Sequence, residues 1–156
     1  MGRCARGEQL AKGKLLMLLM WTENLSVGVK AFDEDHKRLI RMINELHGIL
    51  QDVDAEGKIP TEEIEIALHR LENYIHYHCN QEEVAMAKAG YAELEEHKQE
   101  HAKLAGMIAD MSRRFHGSTD PKHLAEIMQF IYDWLTNHIN VTDKKYTAHL
   151  NGKGIF

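Results

Sequence analysis

Apolar residues recur every three or four positions in four long segments of this 156-residue chain. In the second segment, Ile64, Leu68, Leu71 and Ile75 step by four, three and four, which is the spacing of one buried face on an α-helix. The segments are rich in Leu, Ile, Met, Glu, Lys and Ala and have few β-branched runs. This composition favours helix over strand. The pattern therefore predicts four amphipathic helices.

Helix-breaking residues separate the four segments. They lie at residues 55–60 (AEGKIP), at Gly90 and at residues 116–121 (HGSTDP). Asp33 is a candidate cap for the first helix, and Thr61 opens the second. Because short connections between long helices imply antiparallel neighbours, we expect an all-α, up-down-up-down antiparallel four-helix bundle with an N-terminal extended arm.

The start of the chain lies outside this pattern. Basic residues precede a short apolar run, residues 15–21, which is too short to span a membrane. No small-residue cleavage site follows the run, so a secretory signal is not favoured. We therefore assign residues 1–19 to an extension of unknown role outside the fold and residues 20–156 to a single bundle domain. The expected location is the cytoplasm, without a membrane partner.

Charge and cysteine content narrow the possible partners. The formal net charge is -5, and the sequence has no basic cluster of the kind that phosphate binding needs, so nucleic acid is not an expected partner. The two cysteines, Cys4 and Cys79, are too few for a disulfide framework and fit a reducing compartment. Since the outer helix faces are polar and demand no partner, a monomer is expected, and an oligomer stays open.

Every predicted helix carries a histidine on its apolar face. A single histidine at such a position is more often a hydrogen-bonded core residue than a metal ligand. Five of them, together with Glu82, are costly to bury unless each finds a polar partner. In alternating helices they would also meet at one height, so the set predicts a metal site. Its histidines are His36, His78, His97, His101 and His138.

Neighbouring polar residues serve as a test of this assignment. His76 and His78 project about 200° apart on a helix, so only one of them can face the core. By the same reasoning, Glu83 is expected to be solvated or to support a ligand rather than to bind metal itself. The six histidines outside the site are expected to be solvated: His47, His69, His76, His116, His123 and His149.

Asp143 follows His138 by five residues, a step that turns it away from the apolar face of a regular helix. Either a local widening of the fourth helix, such as a π-bulge, or a side chain that reaches across would return its carboxylate to the centre. With Asp143 the candidates become five imidazoles and two carboxylates, too many for one tetrahedral zinc ion and well suited to two octahedral ions. The Glu-x-x-His motif of ferritin-like di-iron proteins does not occur in the sequence.

Over roughly residues 21–150 the chain resembles the hemerythrin family, and within it the single-domain bacteriohemerythrins. The resemblance rests on the segments WTENLSVGVKAFDEDHKRLI, HCNQEE, HKQEH and HINVTD. It implies two iron ions (Fe2+/Fe3+) per chain with a bridging hydroxide or oxide. The implied ligands of one iron are His97, His101 and His138, those of the other are His36 and His78, and the implied bridges are Glu82 and Asp143.

The resemblance also implies reversible binding of dioxygen, in a carrier, storage or delivery role, rather than enzymatic activity. Two alternatives stay open: a di-iron enzyme that reduces peroxide, nitric oxide or dioxygen, and an oxygen or iron sensor that acts through a separate partner. Leu135 is expected to overhang the open iron, with Ile40 and Ile139 as further linings of an oxygen pocket. Each of these three could equally be an ordinary core residue.

Cys79 stands at a position that is commonly aromatic in the family. It directly follows His78 and is expected to lie off the apolar face, where a smaller side chain would loosen the packing behind that histidine.

Overall fold

The structure is a computed structural model that describes residues 18–52, 56, 58–116 and 121–156, although not the side chains of residues 116 and 121–124. Four long helices form the bundle: α1 (Lys30–Gln51), α2 (Thr61–Ala89), α3 (Leu94–His116) and α4 (Pro121–Asn137). A π-helical turn, His138–Thr142, and a 3-10 turn, Asp143–Lys145, continue from α4 and lead into a short helix, α5 (Thr147–Gly152). The described residues contain no β-strand.

The four helices close into a ring. Each of α1 to α4 contacts its neighbours in the chain, and α4 returns to contact α1. The apolar positions that define the predicted face of α2 are all buried, from Ile64 to Ile75. Burying one such side chain stabilises a fold by about 1.5–3 kcal/mol. The all-α bundle is therefore confirmed, with its core along the bundle axis.

Helix α1 begins three residues before the predicted cap. Its N-cap is Val29, which makes no side-chain capping bond. Asp33 lies in the first turn, where its carboxylate accepts hydrogen bonds from the Val27 amide at 2.8 Å and from Ser26 Oγ at 2.6 Å. The prediction that Asp33 caps α1 is wrong. Its acceptor oxygens are used to tie the preceding loop to the helix.

Two glycines next to helix ends have a left-handed backbone conformation. Gly90 follows α2 with φ of 66°, which is the conformation of a helix C-cap that glycine adopts without steric cost. Gly28 lies just before α1 with φ of 68°, and a Cβ atom there would come within 2.9 Å of Thr147 Cγ2. Gly28 therefore allows the N-terminal loop to lie close to α5.

The N-terminal arm runs along α1. Its described part, from Leu18 to Val29, is non-helical except for a 3-10 turn at Glu23–Leu25. The Leu19 amide donates to the Asn44 side chain at 3.0 Å, and the Leu19 carbonyl accepts from the same side chain at 2.8 Å. Leu19 is also buried, so the packed chain includes one residue that we assigned to the extension.

Among the described residues, no helix combines the length and apolar character needed to cross a lipid bilayer.

Candidate metal centre

All seven predicted ligands are buried and meet at one level of the bundle. None of them is more than 4 % exposed. Their nitrogen and oxygen atoms form two groups, and within each group one atom per residue lies within 4.8 Å of the others. One group contains Glu82, His97, His101, His138 and Asp143, and the other contains His36, His78 and Glu82.

Glu82 belongs to both groups because its two oxygens face different histidines. Its Oε1 atom lies 3.4 Å from His78 Nε2 and 3.7 Å from His36 Nε2. Its Oε2 atom lies 3.3 Å from His101 Nε2 and 3.5 Å from His97 Nε2. One oxygen on each side is the arrangement that a carboxylate needs to bridge two metal ions.

Asp143 divides its oxygens in the same way. Oδ2 lies 3.4 Å from His36 Nε2, whereas Oδ1 lies 3.0 Å from His138 Nε2 and 3.5 Å from His97 Nε2. The π-helical turn His138–Thr142 is the widening that the five-residue step predicted. It returns the Asp143 carboxylate to the centre, where the side chain has no exposed surface.

Several atoms of this cluster have no hydrogen-bond partner despite complete burial. They are both ring nitrogens of His36, Oε2 of Glu82, Nε2 of His138 and both oxygens of Asp143. A buried polar atom without a partner costs about 1–3 kcal/mol. Metal ligation would satisfy most of these atoms at once, and a set of imidazole nitrogens and carboxylate oxygens suits iron. The residues present therefore fit a pair of metal ions.

Both carboxylates are held in the charged form that metal binding requires. Burial raises the pKa of Glu82, but the surrounding histidines, His78 foremost, outweigh burial and hold the pKa well below its usual range. Burial and the nearby Glu82 charge raise the pKa of Asp143, yet the surrounding histidines lower it overall.

A second layer of side chains contacts the predicted ligands. His101 Nδ1 lies 2.8 Å from Glu83 Oε1, which is the supporting one of the two positions expected for Glu83. His78 Nδ1 lies 3.4 Å from Asp35 Oδ2. Asp35 in turn accepts a 2.6 Å hydrogen bond from the Tyr74 hydroxyl. Such outer partners fix the ring orientation of ligating histidines.

Sequence reasoning missed several of these supporting residues. Asp35 and Tyr74 were not singled out, although Asp35 directly precedes a ligand in the segment EDH. Tyr146 was also missed, and its buried hydroxyl donates to Glu82 Oε1 at 2.5 Å. The Trp134 ring stacks on His138, with centroids 4.2 Å apart. The position of Trp134 one turn before His138 in the sequence could have indicated this contact.

A cavity of about 20 Å³ lies beside the cluster, which exceeds the roughly 10–15 Å³ that one water-sized molecule occupies. Leu135, which was expected to overhang the open iron, lines this cavity. Ile40 and Ile139 are buried, at 4 % and 1 % exposure, but neither lines this cavity. The other lining residues are five predicted ligands, His36, His78, His101, His138 and Asp143, together with Cys79 and the apolar side chains Leu39, Ile43, Ile75, Leu104, Ile131 and Trp134.

Cys79 also lines the cavity and is only 9 % exposed. The prediction that it lies off the apolar face is wrong. Helix α2 packs against both α1 and α3, so its buried surface is wider than one row of residues, and Cys79 lies on the part that faces α3 beside His101.

The histidines outside the site follow the prediction only in part. His69 and His76 are exposed, which confirms that His78 is the inward member of its pair. His47 is half-buried. His149 is also half-buried, and its Nε2 donates to the Ala89 carbonyl at 2.9 Å, so it links α5 to the end of α2. The side chains of residues 116 and 123 lie outside the described part.

Comparison with known proteins agrees with this geometry. A sequence model of the family described as "Hemerythrin HHE cation binding domain" matches residues 27–150. A bacteriohemerythrin of Methylococcus capsulatus is 36% identical over 132 residues, which cover 84% of this chain and 95% of the relative. A bacteriohemerythrin of Stenotrophomonas maltophilia is 29% identical over 140 residues, covering 87% and 86% of the two chains.

Solved structures give the same result. A crystal structure of wild-type hemerythrin superposes with a TM-score of 0.75 at 34% identity, and the match covers 86% of this chain and 98% of that one. On the strength of the matched sequence, the shared fold and the buried cluster of histidines and carboxylates, the chain belongs to the hemerythrin family.

Proposed function

We propose that this chain binds dioxygen reversibly at a centre of two iron ions. The family and the fold support a di-iron oxygen-binding or related function. The observation that carries the proposal is that Glu82 and Asp143 each turn one oxygen to either group of histidines. When bound as a pair, two iron ions can each change charge by one electron, which is the exchange that reversible dioxygen binding requires.

The two histidine groups would hold the ions unequally. His97, His101 and His138 would bind one ion, and His36 and His78 the other, with both carboxylates as bridges. The two-histidine side offers one protein ligand fewer. A metal site that is to take up an external ligand keeps such an open position.

The surroundings of the centre support binding rather than turnover. Apolar side chains, with Leu39, Ile43 and Leu135 among them, line the cavity beside the cluster and would limit the access of water to the predicted ligands. Five neutral imidazoles also supply less negative charge than the carboxylate-rich sites of di-iron oxidases, so they stabilise highly oxidised iron poorly. We therefore infer an oxygen-binding protein rather than an enzyme.

Anaerobic loading followed by stopped-flow mixing with dioxygen tests the proposal. We expect two irons per chain, and a visible absorption band that forms on mixing, disappears when dioxygen is removed and returns when it is restored. Fewer than two irons per chain would contradict the centre itself. Rapid irreversible oxidation with consumption of peroxide or nitric oxide would contradict the carrier role and favour the enzyme.

A further inference from the structure

The cavity beside the metal ligands has a thin wall on one side. A surface groove of about 390 Å³ runs between α2 and α3. Its outer part carries polar residues that include His76, Glu83 and Lys98. Ile75, Cys79 and His101 line both this groove and the inner cavity. Among the described residues, these three side chains are therefore shared by the walls of the two spaces.

A second cleft near the centre provides a comparison. It has a volume of about 280 Å³ and is lined by Glu96, His97, Gln99 and Thr142, among others. None of its lining residues lines the inner cavity. The α2–α3 groove is thus the cleft that shares a wall with the cavity, although both clefts touch a predicted ligand.

The three wall residues differ in their freedom to move. His101 is held on both sides, because Nδ1 lies 2.8 Å from Glu83 and Nε2 lies 3.3 Å from Glu82. Ile75 is β-branched, which restricts rotation about its first side-chain bond. Cys79 is the smallest of the three, and a single rotation moves its sulfur. Its side chain can leave the wall at the least steric cost.

We propose that Cys79 is the gate of a passage from the α2–α3 groove to the inner cavity, used by small uncharged molecules. The cavity is buried and lined by apolar side chains as well as by predicted ligands, and an ion that enters it loses its hydration. That dioxygen is the molecule that passes rests on the proposed function. The passage itself rests on the shared wall alone.

Substitutions at Cys79 test the gate through rates. In the iron-loaded protein, Cys79→Phe should slow the association and the dissociation of dioxygen together, by about tenfold, since a tenfold change needs only about 1.4 kcal/mol in the barrier. Cys79→Ala should speed both and does not depend on accommodating a larger ring. Gln99→Phe is the matched control, because it adds the same ring to the cleft that shares no wall residue with the cavity.

Chemical labelling provides a measurement that needs no dioxygen. Methyl methanethiosulfonate, a small uncharged reagent, should label Cys79 in the folded full-length protein faster than global unfolding allows. Peptide mass spectrometry separates this label from any on Cys4. The attached methylthio group should then slow dioxygen exchange as phenylalanine does.

The outcomes separate the gate from the proposed function. If the wild-type protein forms no dioxygen adduct, the proposed function fails, while the labelling rate still tests whether the Cys79 side chain moves out of the wall. The gate is overturned if Cys79 is labelled only through global unfolding. It is also overturned if the Cys79 variants leave both rates unchanged or change dissociation alone.

Discussion

Tyr146 donates a 2.5 Å hydrogen bond to Oε1 of Glu82 from a position with no exposed surface. Burial, with the charges of Glu82 and Asp143, raises the pKa of the Tyr146 phenol well above its usual value, so the phenol stays a donor at neutral pH. Through this bond the end of the chain fixes the orientation of a carboxylate on α2.

We therefore expect Tyr146→Phe to lower the free energy of unfolding by about 1.5–3 kcal/mol, the usual contribution of a hydrogen bond to a charged group. Urea denaturation of the iron-loaded protein measures the change. Tyr77→Phe, which removes a hydroxyl from a 52% exposed side chain, is the control and should change stability by less than about 0.5 kcal/mol. Equal losses in the two variants would contradict the assigned role.

Asp143→Asn is expected to lower the iron content below two per chain while leaving the fold intact. Asparagine keeps the shape of the side chain but loses the charge and one of the two oxygens that face the separate histidine groups. Metal analysis after anaerobic loading, together with circular dichroism, measures both effects. The matched change Asp133→Asn, at an exposed position, should leave the iron content at the wild-type value. A full complement of iron in the Asp143 variant would exclude a bridging role.

Leu135→Ala should speed autoxidation of the oxygenated protein without abolishing iron binding, because a smaller side chain opens the cavity wall to water. The rate is measured as decay of the visible band. Ile139→Ala is the matched control, since Ile139 is equally buried but does not line the cavity. Both changes should cost about 2–5 kcal/mol of stability. If both speed autoxidation alike, general loosening of the core is the cause.

Two glycine substitutions should change stability in opposite directions. Gly28→Ala places a Cβ atom 2.9 Å from Thr147 Cγ2 at a φ of 68°, so it should destabilise the fold by at least about 1 kcal/mol. Gly48 lies within α1 and a Cβ there would meet nothing within 4 Å. Gly48→Ala should therefore stabilise the protein by about 0.5–1 kcal/mol. Thermal unfolding measures both, and a shift of the same sign would contradict this reading.

The sequence was sufficient for the helices and for the convergence of ligands, because both depend on residue spacing along a regular helix. His78 could be distinguished from His76 by direction alone. Asp143 reaches the centre only through an irregular turn. This turn could be inferred because a regular helix would direct the Asp143 carboxylate away from the histidines. The positions of these residues could be predicted because the backbone of one helix fixes them.

Contacts between helices were not predictable in the same way. A single row of apolar residues along α2 puts Cys79 off the buried face. In the structure α2 is buried against two neighbouring helices, so its buried surface is wider than that row. Ile40 and Ile139 are buried as expected, but a cavity of about 20 Å³ touches only part of an inward face. The hydrogen bond between Asp35 and Tyr74 joins two helices. The spacing of residues within one helix therefore cannot predict it.

The widened turn after His138 also determines where the rest of the chain points. Asp143, Tyr146 and Leu150, all fully buried, follow His138 by five, eight and twelve positions. With one position discounted for the π-helical turn, the steps become four, seven and eleven, which return to one side of a helix. The one extra residue of this turn thus sets the phase of every position that follows it. Deleting one residue within α5 would leave Asp143 and Tyr146 in position. Deleting one residue at the turn would rotate every side chain that follows it.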